Sequence, residues 1–111
     1  QSHSVDSIAG DGGGSGVIFS MPTSGFTHST LTVIASASDR SFHEQTEVIH
    51  TGSNVAIRRG DSTNAGSGGS TSSNPFTLDA AIASNAVQVT YTNYHSSSVN
   101  VRVWSNSTLI K

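Results

Sequence analysis

From Ala86 to Thr92, and again from Ser98 to Ser105, apolar and polar residues alternate one by one. Val87, Val89 and Tyr91 stand against Gln88, Thr90 and Thr92, and Val99, Val101 and Val103 against Asn100, Arg102 and Trp104. Successive side chains of a strand point to opposite faces, so each row makes one apolar and one polar face. A helix of period 3.6 would scatter the same residues around its circumference. Similar short rows recur upstream. Gly16–Ser20, Ser29–Ala37, Phe42–Thr51, Val55–Ile57 and Phe76–Ala80 read as strands. Ile34 breaks the alternation of its row, which predicts that both faces of that strand are partly covered.

The punctuation between these rows is turn chemistry. Pro22 with Gly25, Ser38–Ser41, Gly52-Ser53-Asn54, Ser84-Asn85 and Asn93–Ser97 supply residues that fix φ or tolerate positive φ. Gly52-Ser53-Asn54 closes a hairpin. Pro75 opens a strand at the position where a missing donor is tolerated. The count and spacing predict an all-β fold, an antiparallel β-sandwich or jelly roll of about seven to eight short strands. Residues 1–15 read as a flexible polar leader whose Val5 and Ile8 could dock on a neighbour. Residues 16–111 read as one domain, with a long Gly/Ser loop at 60–74. A loop of that length is uncommon in a compact domain, and a neighbouring subunit or the sandwich surface would order it.

Composition narrows the function. Almost half of the chain is Ser, Thr, Gly and Asn, while charged residues make up 11% and the formal net charge is -2. Soluble domains carry about a quarter charged residues, so hydroxyls and amides replace charge on this surface. Such a surface packs against copies of itself with few charges to desolvate. The charge balance gives nucleic-acid binding little to work with, and no apolar run is long enough to span a membrane. The absence of Cys removes disulfides, thiolate nucleophiles and Cys-based zinc sites. The first residue, Gln1, reads as the product of processing or as the start of a piece of something longer.

Chemistry has few places to reside. His43-Glu44-Gln45-Thr46-Glu47-Val48-Ile49-His50 superficially matches a zincin helix, but Glu47 stands where the second His is required. On a strand, His43 and Glu47 share one face and Glu44 and His50 the other, and all four read as exposed polar positions. Asp11-Gly12-Gly13-Gly14-Ser15-Gly16 lacks the Lys of a phosphate loop, since Val17 follows, and the ligand series of an EF-hand. No G-x-S-x-G elbow is present, and the carboxylates are not spaced as a glycosidase pair. Neither a metal site nor a cofactor is called for, and the chain reads as a non-enzyme. Asn106-Ser107-Thr108 is a glycosylation sequon in a eukaryotic secretory setting.

The binding candidates are aromatic. If the valines of Val99–Val103 face the core, Trp104 faces the other way, beside Asn100 and Arg102, where it could pack into an interface or stack on a sugar ring. Tyr94 and His95, in the preceding turn, could join it.

From Glu44 to Val103 the order of features is a Glu-bearing strand running into the Val48–Ile57 hairpin, a loop, the Phe76–Ala80 strand, Val87–Thr92, and the valine-rich Val99–Val103. This order resembles small β-sandwich modules of tailed-phage virion proteins, of the tail-fibre and decoration type, with Thr51 where those modules often carry Asp. The resemblance covers just over half the chain. It implies a structural or adhesive subunit, a homo-oligomer with a trimer favoured, attachment to other virion or appendage proteins or to a host-surface glycan, and a virion or extracellular location. A secreted lectin-like domain, with Trp104 and Tyr94 as stacking platforms, is the alternative reading.

Overall fold

The computed structural model describes residues 2–10, 14–24, 27–38, 40–66 and 75–108. Its eight strands are β1 (Ser2–Ile8), β2 (Gly14–Pro22), β3 (His28–Ser36), β4 (Arg40–His50), β5 (Val55–Gly66), β6 (Phe76–Ala83), β7 (Ala86–Asn93) and β8 (Val99–Thr108). They form two antiparallel sheets, one of five strands in the order β1-β8-β3-β4-β5 and one of three in the order β2-β7-β6. The sheets pack face to face as a β-sandwich, and the described residues contain no helix.

The core is the set of inward-facing apolar residues that the alternation supplies. Leu31, Val33 and Ala35 of β3 and Val99, Val101 and Val103 of β8 meet Val87, Val89 and Tyr91 of β7. Phe42, Val48, Ile18, Phe19, Met21, Phe76 and Leu78 complete it. Two-residue and four-residue turns link the central hairpins. Ser84 and Asn85 take positive φ, 52° and 61°, as a tight β6–β7 turn requires. Gly52 takes a φ of 100° between β4 and β5, where a side chain would be strained. The Thr51 amide donates to the Asn54 carbonyl at 2.9 Å, and the Asn54 amide donates to Thr51 Oγ1 at 3.1 Å.

Three expectations give way. Ser2–Ile8 is a strand, not part of a flexible arm: β1 runs antiparallel to β8, with Ser4 opposite Arg102 and Val5 opposite Val101. Ile8 is 5% exposed and docks into its own core. The loop expected at 60–74 is strand as far as Gly66, because β5 pairs with β4 from His50↔Val55 to Arg40↔Gly66. The stretch 67–74 lies outside the described residues. Ile34 is 42% exposed on the outer face of the large sheet, so that face is open rather than covered.

The same alternation carries polar groups inward. Glu44 is 2% exposed, and Thr46, His50, Ser29 and Asn93 are buried as well. Glu44 and His50 do share one face of β4, but it is the core face, which corrects their reading as exposed positions. Arg59 reaches Glu44 from the edge strand β5 in a bidentate pair, Nε to Oε2 at 2.6 Å and Nη2 to Oε1 at 2.7 Å. Its Nη1 donates across to the Phe76 carbonyl of the small sheet at 2.9 Å. The guanidinium also lies 4.8 Å from the Phe76 ring centroid, and Phe76 stacks on Tyr91 at 4.5 Å. One side chain thus ties the open seam between β5 and β6.

Tyr91 is fully buried and its hydroxyl has no hydrogen-bond partner among the described residues. Burial pushes its pKa up, Arg59 pulls it down and Glu44 adds to the rise. A buried unpaired hydroxyl costs about 1–3 kcal/mol. Tyr91→Phe, which keeps the stacked ring, is expected to be neutral or to raise the melting temperature in thermal denaturation.

Candidate functional site

The outer face of the large sheet holds a concave surface. It owes its shape to a β-bulge. Glu44 pairs with Ser62 and Thr46 with Arg59, so two residues of β5, Gly60 and Asp61, oppose the single Gln45 of β4. A Cβ at Gly60 would lie 2.8 Å from the Gln45 carbonyl oxygen, so glycine permits this approach. With no side chain at 60, a bowl of about 430 Å³ opens over Thr30, Thr32, Gln45, Glu47 and Arg58.

Cross-strand register sets its walls. Thr30 pairs with Glu47, which pairs with Arg58; Thr32 pairs with Gln45. Trp104 pairs with Thr32 from the far side and is 61% exposed. Adjacent strands lie about 4.8 Å apart, so Trp104 sits one strand beyond Thr32 on the same face, outside the bowl's lining residues. Arg102 lies one pleat along β8, opposite Ile34, and Asn100 one pleat further, opposite Ser36.

The electrostatics are balanced. His28 Nε2 donates to Glu47 Oε2 at 3.0 Å, and Arg58 Nε lies 3.9 Å from Glu47 Oε1. The hydrogen bond from His28 is the main reason the Glu47 carboxyl sits below its ordinary value; partial burial works against it, and the charges of Arg58 and His28 assist. A lowered folded value means that ionised Glu47 stabilises the fold above the usual carboxylate range. That contribution fades as pH falls through the folded value. Titration of the Glu47 carboxyl followed by NMR is expected to give a midpoint below the ordinary one, and His28→Ala is expected to move it upward.

The five residues singled out from sequence do not form one cluster. Trp104, Arg102 and Asn100 share the outer face of β8. Tyr94 and His95 lie in the β7–β8 turn, at one end of the sandwich. β8 starts at Val99, and the five residues from there to Trp104 span about 17 Å. Tyr94 is exposed, and its amide donates to the Pro75 carbonyl at 2.9 Å. The His95 ring packs edge-on against core Phe42 at 5.3 Å, which makes it part of the sandwich end. The bowl residues Thr30, Thr32, Gln45, Glu47, Arg58 and Gly60 went unread as a group. The shared face of His43 and Glu47 was the signal nearest to them.

Among the described residues, no three His, Asp or Glu side chains converge as metal ligands, and no helix is long and apolar enough to cross a membrane. No family model matches the chain, and no curated protein matches it. Its fold is similar to part of the tailspike protein of Acinetobacter phage vB_ApiP_P1, whose crystal structure aligns with a TM-score of 0.59 at 18% identity. The alignment covers 96% of this chain and 21% of the tailspike, so the chain spans about a fifth of that protein. At this identity the likeness is one of fold.

Proposed function

We propose that this chain is a non-enzymatic structural module of a virion or extracellular appendage, acting by self-association and presenting a surface for attachment. The observation that carries the reading is the outer face of the three-stranded sheet. It exposes Val17, 46% accessible, and is otherwise built from Ser15, Ser20, Pro22, Thr77, Ala81, Ala83, Ala86, Gln88, Thr90 and Thr92, with Asp79 as its charged residue. A face of this kind packs against a copy of itself while desolvating few charges. The outer face of the large sheet, carrying Trp104, Ile34, Ile49, Arg102, Glu47 and Arg58, is then left to meet a host surface. Similarity in fold to a phage tailspike supports a virion or extracellular setting.

Sedimentation velocity over a range of micromolar concentrations tests the proposal. Concentration-dependent growth of the sedimentation coefficient is expected. A single species at 11.4 kDa throughout would refute self-association.

A further inference from the structure

We infer that the bowl between Trp104 and the Gly60 bulge binds the hydroxyl groups of a neutral sugar, with the indole covering one face of the ring. This rests on the reading of the large sheet's outer face as the attachment surface, and not on the self-association proposed for the opposite face. Four observations carry it. The bowl holds about 430 Å³ and is open to solvent, a size within the range of small-molecule sites. Its lining mixes donors and acceptors. Arg58 donates, Glu47 accepts, and Gln45, Thr30 and Thr32 do both, which suits hydroxyls that are themselves donor and acceptor.

The charges of Glu47 and Arg58 offset each other, so the lining has no preference for an anion such as phosphate. Glu47 is also held ionised by His28, which keeps an acceptor fixed at the rim. Finally, Trp104 lies just outside the lining, opposite Thr32 on the neighbouring strand and 61% exposed, which puts an apolar side chain on the same face as the polar floor. A pyranose has the same two aspects, an apolar C–H face and an equatorial ring of hydroxyls. A shallow site of this type binds one ring weakly, and repeated copies in an assembled particle would raise the avidity.

The test is a titration of the intact chain, followed by NMR, with a panel of neutral methyl pyranosides and, separately, with inorganic phosphate. A saturable shift of the Trp104 indole and Gln45 side-chain signals by at least one pyranoside at millimolar concentration is expected. Trp104→Ala is expected to weaken that binding about tenfold. Arg58→Ala should weaken it as well, and Tyr94→Ala, at the end of the sandwich, should leave it unchanged. All three side chains are exposed, so the variants should keep the amide spectrum of the core. The inference is overturned if no pyranoside shifts these signals, if phosphate alone does so, or if Trp104→Ala responds as the unaltered chain does. The titration reads one sheet face and sedimentation the other, so failure of either is separately visible.

Discussion

Arg59→Ala is expected to destabilise the sandwich by about 3–5 kcal/mol, measured by urea denaturation. The change strands the Glu44 carboxylate, 2% exposed, with only the Thr46 hydroxyl at 3.1 Å remaining among its described hydrogen-bond donors. It also removes the donor to the Phe76 carbonyl, and with it the tie across the β5–β6 seam. A whole domain is stable by about 5–15 kcal/mol, so a single edge residue would command a large share. The converse change, Glu44→Ala, is expected to cost less. Arg59 is a third exposed, can turn to water, and keeps its place over Phe76. The double variant should be less destabilised than the sum of the two, because each single change leaves a charge that the other removes. Additive losses would show that the pair is not coupled.

Asn93 carries the second large effect. It is fully buried and makes three hydrogen bonds with its amide. Nδ2 donates to the Ile8 carbonyl at 3.1 Å and to the Ser97 carbonyl at 2.9 Å, and Oδ1 accepts from the His95 amide at 2.9 Å. These bonds join the end of β1, the end of β7 and the turn into β8. Asn93→Ala leaves buried backbone groups unpaired and is expected to cost about 3 kcal/mol. Asn93→Asp should cost more, since it turns an oxygen toward two carbonyl oxygens. In native-state hydrogen exchange, the losses should concentrate in β1 and the β7–β8 turn. Uniform loss across both sheets, or a loss under about 0.5 kcal/mol, would show that the side chain does not hold these segments.

The central strands and the tight turns were legible because their information is local. Period-two rows at Val87–Tyr91 and Val99–Val103 define an inner face by themselves, and Gly52 and Ser84-Asn85 mark turns by their tolerance of positive φ. The edges were not. β1 carries Val5 and Ile8 among polar residues, and β5 beyond Gly60 has no large apolar residue at all. Each is a strand because a richer neighbour, β8 or β4, offers its ladder. Sequence also sorts residues into faces without saying which face is covered. Ile34 therefore read as half-buried, and Glu44 and His50 as exposed. The bowl was hidden for a related reason: its members lie on three strands and come together only through register and through the extra residue of the β5 bulge.

In the proposed division of work the small sheet serves self-association and the large sheet the ligand. Light scattering of face-specific charge variants tests that division directly. The unaltered chain is predicted to show a mass that is a multiple of 11.4 kDa. Val17→Glu, on the small sheet, should reduce it to the single-chain value, and Ile34→Glu, on the large sheet, should leave it unchanged. A mass of 11.4 kDa for the unaltered chain, or dissociation by Ile34→Glu and not by Val17→Glu, would contradict it.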